Sequence, residues 1–400
     1  MAGSYDVAVL GGGLAGAATA LALKQQESGL RVALIEKGDY SAFRIGEALP
    51  PPTRRLLERL GVWDRFPGSL AVASYGTRAA WGSGRIQENA FIFSTYGRSW
   101  HVGRREFDAW LAGEAARAGA AVFPNVRGDA ARLPQGDGYW VVALCQRGRE
   151  IGELRARVVV DATGRQSTLA RACGARHLVV DRLVGIAVRG RIDRSCPGLD
   201  SYTLVEACPD GWWYTATLPD GHLIGMFMTD ADHLRRAAWR SVEEWRALAG
   251  RAPMTAERIA CATAVGAPVL CAASSQRLDH CAGDGWLAVG DAASTVDPLS
   301  SQGVMRALRS GIIAARAIGE HLAGSADALP AHHARLTKEY DAYLRTRAAY
   351  YAMESRWPES PFWRSRQATV TDEGEAAVPS RRTTHTELLT GGQEVRRTLS

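Results

Sequence analysis

Lysine is nearly missing from this 400-residue sequence: Lys24, Lys37 and Lys338 are the three among 48 basic residues. Chemistry that needs a neutral amine or a lysine-delivered proton is therefore excluded from residues 38–337, because arginine stays charged. The skew toward arginine otherwise reads as a GC-rich coding bias. No C-x-x-C pair occurs among Cys145, Cys173, Cys196, Cys208, Cys261, Cys271 and Cys281, and no histidine stands at ligand spacing from them. That excludes the usual zinc and dithiol motifs, and an odd, unclustered count reads as free, mostly buried thiols in a reducing compartment. No run of 18 apolar residues is present, so no segment is expected to span a membrane. The N-terminus has no charged-then-apolar leader, and the expected location is cytoplasmic. The net charge of +6 is mild and dispersed. It favours an acidic or phosphate-bearing ligand without any basic run that would argue for nucleic acid.

What is present supports a large folded core. Hydrophobic residues make up 46% and charged residues 22%, values of an ordinary globular chain that would divide into two closely packed domains. The stretch "YDVAVL" at residues 5–10 is a short apolar strand pattern running into "GGGLAGAATALALKQQ". Gly11, Gly13 and Gly16 satisfy G-x-G-x-x-G, after a strand and opening a small-residue helix. A second strand, "RVALIEK", ends at Glu36, 20 residues past Gly16, with Lys37 beside it. In a dinucleotide fingerprint the first glycine makes the tight turn and the second admits the pyrophosphate. The third lets helix and strand pack closely, and the acid takes the ribose hydroxyls. An acid rather than an arginine at that strand end favours FAD or NAD over a 2′-phosphorylated dinucleotide.

Two later motifs choose between them. "ARVVVDATGRQS", residues 156–167, is a buried strand closed by Asp161 and Gly164. "DGWLAVGDAAST", residues 284–295, is another closed by Gly290 and Asp291. A simple NAD dehydrogenase needs neither, whereas an elongated FAD needs an acid for its hydroxyls and a helix start against its ring. That helix start lies in "GDAASTVDPLSSQGVMRALRSG", residues 290–311, where small-residue turns around Asp297-Pro298 lead into a helix. Free N–H groups there suit an electron-rich ligand atom; an ordinary capped helix is the alternative reading.

These motifs together resemble the FAD-dependent monooxygenases of the p-hydroxybenzoate hydroxylase fold. The resemblance is to the branch of tryptophan halogenases and of flavoproteins that modify tryptophan in quinoprotein amine oxidases. It rests on "GGGLAG", "RIGEALPP" at 44–51, "VGRREFDAWL" at 102–111, "DATG" and "GDAASTVDPLSSQGV", and spans most of residues 5–325. It implies a mixed α/β fold: a Rossmann-like FAD-binding domain (glutathione-reductase type 2), an interleaved β-sheet substrate domain and C-terminal helices. The FAD-binding domain would gather residues 1–72, 100–178 and 282–325. Residues 73–99 and 179–281 would form the substrate lobe, 326–366 a helical segment and 367–400 a flexible tail. Within the lobe, "LVGIAVRGRI", "WWYTATL" and "HLIGMFMT" read as strands and residues 230–250 as a helix. Tyr75, Trp81, Trp213 and Tyr214 are its candidate substrate-facing aromatics.

Carried over by the resemblance, Gly11, Gly13, Gly16, Glu36 and Lys37 lie at the ADP half of non-covalent FAD, and Arg44 and Arg104 along its pyrophosphate and ribityl. Asp291 is implied at the ribityl or pyrophosphate region, and Asp161, Gly164 and Gly290 are further candidate cofactor-binding residues. Pro298, Ser301, Gln302, Gly303 and Val304 sit under the flavin, where a helix N-terminus favours the reduced anion. The implied activity is hydroxylation of an electron-rich aromatic, an indole or tryptophan free or within a peptide or protein, through a flavin C4a-hydroperoxide. It consumes O2 and takes electrons from NAD(P)H or from a partner flavin reductase. Halogenases of the family use a catalytic lysine and a W-x-W-x-I-P segment. Here no lysine is available, and "GWWYTATLP", residues 211–219, has Tyr214 and Ala216 in place of the tryptophans. Glu47 is the candidate proton-transfer group, or else a helix-start cap; Asp297 is a candidate for orienting substrate, or else a cap. His101 and His222 are weaker candidate bases. Halogenation, isoprenoid-type reduction and a flavin-bearing maturation factor for a partner protein stand as alternatives.

Overall fold

Strand Gly3–Leu10 ends in four fully covered residues, and Val32–Glu36 is buried along its whole length. Continuous burial of this kind marks the middle of a parallel sheet with both faces covered. The sheet runs in the order Ala282–Gly283, Trp286–Ala288, Arg149–Asp161, Gly3–Leu10, Val32–Glu36 and Ala121–Pro124. The long strand Arg149–Asp161 also carries an antiparallel extension, Trp140–Gln146 and then Arg127–Arg132. Helix Leu14–Gln26 is buried from Leu14 to Leu23. Its alanines admit helix Gly303–Leu322 at close range: a Cβ on Gly311 would stand 2.7 Å from the Ala15 carbonyl oxygen. In this computed structural model residues 3–132, 138–193, 195–196, 199–234 and 238–367 are described. The tail expected at 367–400 lies outside them apart from Gln367, which ends helix Pro361–Gln367.

A second sheet has seven strands, in the order Ala262–Ala272, Leu183–Ile192, His222–Asp230, Gly211–Thr217, Thr203–Cys208, Gly76–Ala80 and Gln87–Ala90. Alternation along Gly211–Thr217 sends Trp212, Tyr214 and Ala216 into one core cluster and Trp213 into another. Trp213 stacks on Phe227 at 5.0 Å and meets Trp245 edge-on at 5.1 Å. Trp245 donates its indole N–H to the Ile186 carbonyl at 3.0 Å. Truncating either fully buried tryptophan of this strand to alanine would cost about 3–5 kcal/mol.

The helix expected across residues 230–250 is not continuous. A short turn, Ala231–Leu234, is followed by Val242–Ala249, which starts afresh at Ser241. Ser241 and Glu244 form a reciprocal capping box, the local signal for a new helix start. Helices Ala328–Ala352 and Pro361–Gln367 cover the other face, where Tyr351, Phe362 and Trp363 pack with Trp81 and Trp212.

The reading of seven free cysteines is corrected: Cys196 and Cys261 are disulfide-bonded across 65 residues. Strand pairing brings them together, because Cys261 accepts the Asp193 N–H through its carbonyl beside the Ile192↔Ala262 pair. A reducing compartment therefore loses its main support. Cys208 and Cys281 are buried thiols, pushed up to about 12 by desolvation. Among the described residues no helix is long and apolar enough to cross a membrane, and no cluster could hold a metal ion. Thiol titration of the unfolded, unreduced protein should count Cys145, Cys173, Cys208, Cys271 and Cys281 alone; a count of seven would contradict the bridge.

Candidate functional site

The carboxyl ends of the parallel strands open into a cavity of about 930 Å³, whose far wall is the seven-stranded sheet. Ligands of open α/β sheets bind at this position, and the volume lies at the top of the usual range for ligand pockets. Leu10, Gly11 and Gly13 form one edge. Gly11 has φ +109°, and a Cβ there would stand 2.2 Å from the Ala162 carbonyl oxygen, so only glycine closes this turn. Gly16 is off the wall; a Cβ there would meet the Gly11 oxygen at 1.9 Å, which makes it the helix–strand packing glycine.

Glu36 and Lys37 line the same end. One Glu36 oxygen accepts the Gly12 N–H at 2.7 Å and the other the Gly38 N–H at 2.9 Å. Arg44 approaches Glu36 at 3.6 Å and pairs with Asp108 at 2.9 Å. Arg104 also binds Asp108, through Nε at 2.9 Å, and donates to the Ile45 carbonyl. Burial works against the Arg104 guanidinium, yet Asp108, Asp291 and Glu47 together hold it above its ordinary pKa. Asp108, fully buried, thus anchors both cations on the wall. The sequence reading missed it, although its i, i+4 spacing from Arg104 was a usable signal.

Gly164, Asp291, Pro298, Ser301, Gly303 and Val304 also line the cavity. The helix Gly303–Leu322 begins there with no side-chain cap on its first turn. Besides Gly16, three further expected cofactor residues are placed elsewhere. Asp161 is fully buried and holds its own turn, accepting from Thr163 N, Thr163 Oγ1 and Ala170 N, so the wall is made by Ala162–Arg165 instead. Gly290 packs against helix Leu14–Gln26, where a Cβ would meet Ala15 Cβ at 2.6 Å. Gln302 is off the wall as well.

The far wall carries Tyr214, Met226, Met228 and Ala273. Tyr214 hydrogen-bonds the Glu47 carboxylate; burial first and then that carboxylate push its phenol well above the usual range. Glu47 is itself buried and accepts the Gly46 N–H at 2.9 Å. It does not cap helix Thr53–Arg59, whose N-cap is Pro52. The other substrate-lobe aromatics are not here. Tyr75 is 55% exposed, Trp81 packs edge-on to Trp363 at 5.2 Å, and Trp213 faces the opposite side of its sheet.

Asp297 lines the cavity but is committed to holding structure. Oδ1 accepts from Leu299 N at 2.9 Å, and Oδ2 from Tyr351 OH at 2.8 Å and Arg347 Nε at 3.2 Å. Asp297 thus caps the short turn Pro298–Ser300 and not helix Gly303–Leu322, whose N-cap is Gln302, and both of its carboxylate oxygens are taken up by structural partners. Arg347 and Tyr351 escaped the sequence reading because nothing local ties them to residue 297. His101 is fully buried between the Thr217 carbonyl and the Thr203 hydroxyl. Desolvation, the largest cause, lowers it to about 4, so it is no base at neutral pH. His222 pairs with Asp220 at 2.9 Å, off the cavity wall.

A glycine turn after a buried strand, an acid on the second strand and an uncapped helix start around one cavity define a dinucleotide-binding protein. Residues 4–338 match the FAD binding domain family, and the chain belongs to that family. It is 30% identical over 368 residues to LodB of Marinomonas mediterranea, named as an FAD-dependent oxidoreductase, covering 91% of this chain and 97% of that one. Seven further relatives, 24–27% identical, carry halogenase, brominase or chlorinase names. Among solved structures, the flavin-dependent halogenase CmlS superposes with TM-score 0.79 at 25% identity, over 91% of this chain and 67% of that one. The peptidyl tryptophan dihydroxylase QhpG superposes with TM-score 0.70 at 24% identity, over 91% and 79%. The protein is an FAD-dependent oxidoreductase of the halogenase-like fold.

The residues present fit FAD. Around Gly303 nothing lies within 4 Å of a built Cβ, and at Gly13 the first atom met is Arg44 Nη1 at 3.5 Å, so backbone and guanidinium form an open cradle. Gly11→Ala should weaken FAD binding by roughly a hundredfold in a flavin-fluorescence titration, with the fold checked by circular dichroism; an unchanged affinity would contradict the turn. The buried neutral His101 also sets a pH dependence. Its folded pKa lies below the unfolded 6.5, so its stabilisation is complete above 6.5 and is lost as pH falls toward about 4. The loss is about 3 kcal/mol, and His101→Gln should flatten the slope of unfolding free energy between those pH values. Parallel slopes would contradict this.

Proposed function

We propose that the protein is an FAD-dependent monooxygenase that hydroxylates an electron-rich aromatic ring, an indole carried as tryptophan in a peptide or protein. Residues 1–72, 100–178 and 282–325 hold the FAD, and residues 73–99 and 179–281 present the ring. Bound FAD, reduced by NAD(P)H or by a reductase partner, supplies two electrons to O2, so that one oxygen atom enters the ring and the other leaves as water.

The observation that carries this reading is the far wall of the cavity. Tyr214, Met226 and Met228 stand there, and the one lysine lining the cavity among the described residues is Lys37, beside Glu36 at the glycine turn. A halogenase mechanism of the kind the resemblance implies needs a lysine on the substrate side. Arginine stays charged and does not replace it. Met226 and Met228 give an aromatic ring a polarisable, apolar bed. Glu47 takes the ring proton or relays it through the Tyr214 hydroxyl, which the carboxylate orients. Arg44, Arg104 and the cavity end at Gly11–Gly13 hold the diphosphate, and Gly303 and Val304 offer N–H groups to the electron-rich edge of the ring system.

The fold shared with QhpG, a peptidyl tryptophan dihydroxylase, supports a peptide-borne ring. The halogenase names among the relatives favour halide transfer instead. One experiment separates them. The reduced holoprotein is mixed with isotopically labelled O2 and a tryptophan peptide in bromide buffer, and the product is weighed by mass spectrometry. Labelled oxygen in the product without bromine is the expected result. A bromine isotope pair would overturn the reading.

A further inference from the structure

Residues 259–276 contain no charged side chain. Within them, strand Ala262–Ala272 is the outer strand of the seven-stranded sheet, paired on one side with Leu183–Ile192 among the described residues. Bare sheet edges invite another strand, and proteins blunt them with charges, prolines or bulges. The first part of this edge is blunted in that way. Its register shifts opposite Ala187–Arg189, Gly266 sits at φ +83°, and Pro268 follows. Past Pro268 the protection stops. Val269 and Leu270 are 51% and 49% exposed, and no charge or further proline follows Pro268 as far as Gln276.

The open side of this short stretch has a defined polarity. Ala273 donates its N–H inward to the Leu183 carbonyl at 3.0 Å. Peptide groups alternate in direction along an antiparallel strand, so those of Leu270 and Ala272 point outward. The same stretch runs into the cavity, where Cys271, Ala272 and Ala273 form part of the wall. Across the sheet Cys271 is paired with Gly185, which is paired in turn with Met228 of the far wall. An edge that is uncharged, apolar and continuous with a ligand cavity fits an extended chain whose one side chain must enter that cavity.

We propose that the edge at residues 269–272 binds the substrate as an added β-strand, an extended uncharged peptide segment that delivers its tryptophan over the rim onto the Tyr214–Met228 wall. The proposal rests on the reading above that the ring is peptide-borne. Backbone hydrogen bonds to Leu270 and Ala272 supply the affinity, and Val269 and Leu270 select apolar neighbours of the tryptophan, the usual division of labour in strand addition. A free indole lacks the backbone and makes none of these bonds.

The test is binding of a labelled, extended tryptophan peptide to the oxidised holoprotein by fluorescence anisotropy, with a series methylated at one backbone nitrogen at a time. Methylation at alternate positions should weaken binding by about tenfold, and methylation at the intervening ones should not. Ala272→Pro, which removes an outward donor where proline is tolerated at an edge, should weaken the unmethylated peptide similarly, with FAD content as the check on folding. If that variant fails to fold, the methylated series on the unaltered protein still decides. Equal effects at every position, or none, would overturn the proposal. So would a dimer in sedimentation that Ala272→Pro converts to monomer, since the edge would then belong to a second copy. A protein that oxygenates N-acetyltryptophanamide but binds no peptide refutes the added strand and leaves the oxygenation standing. Alternating peptide binding without oxygen transfer upholds the strand and refutes the chemistry.

Discussion

Asp297 is the buried charge on which the two halves of the molecule meet. Its carboxylate is 1% exposed at the edge of the cavity, and an ion in that position survives only if it is fully paired. Arg347 and Tyr351 reach it from the C-terminal helix, and Leu299 N–H closes the turn beneath it. Tyr351 in turn accepts the Trp212 indole N–H at 3.1 Å, and Arg347 approaches Asp181 at 2.9 Å. The Tyr343 hydroxyl oxygen accepts the Asp297 N–H at 2.7 Å. Removing one partner of such a group leaves an uncompensated charge, a cost of about 3–5 kcal/mol. The turn Pro298–Ser300 and the helix start at Gly303 therefore stand where the C-terminal helix puts them.

The cavity divides accordingly into two environments. At the glycine turn, carboxylates and guanidinium groups alternate: Glu36, Arg44, Asp108 and Arg104 hold one another in fixed positions, which suits a ligand carrying both ribose hydroxyls and a diphosphate. At the seven-stranded sheet the wall is apolar, with one polar pair, Tyr214 and Glu47. A cofactor spanning both would leave its reactive end against the apolar wall. The scarcity of lysine matters at that end, because Lys37, at the glycine turn, is the one lysine lining the cavity among the described residues.

The glycine turn and Glu36 were legible in the sequence because their signals are local: a strand, a turn of fixed glycine spacing and an acid at the next strand's end; Arg44 and Arg104 were named only through the family resemblance. Tyr214 was legible as a residue but not by its facing. Trp213 and Tyr214 are adjacent, and only the register of the sheet shows that one lines the cavity while the other packs under Trp245. Asp161 misled for a related reason. An acid closing a buried strand is what a ribityl ligand wants, yet it is also what an orphaned turn wants, and here Thr163 and Ala170 claim it. The partners of Asp297 lie 50 and 54 residues further on, and the Cys196–Cys261 bridge spans 65. No pattern along the chain encodes contacts of that range.

In the proposed reaction, reduced FAD in this cavity activates oxygen for transfer to a tryptophan ring. The most direct measurement is rapid mixing of the anaerobically reduced holoprotein with oxygen while the flavin spectrum is recorded, with and without a tryptophan peptide. The expected result is a transient spectrum distinct from both oxidised and reduced flavin, whose decay the peptide accelerates. A single-step return to oxidised flavin, at a rate the peptide does not change, would contradict it.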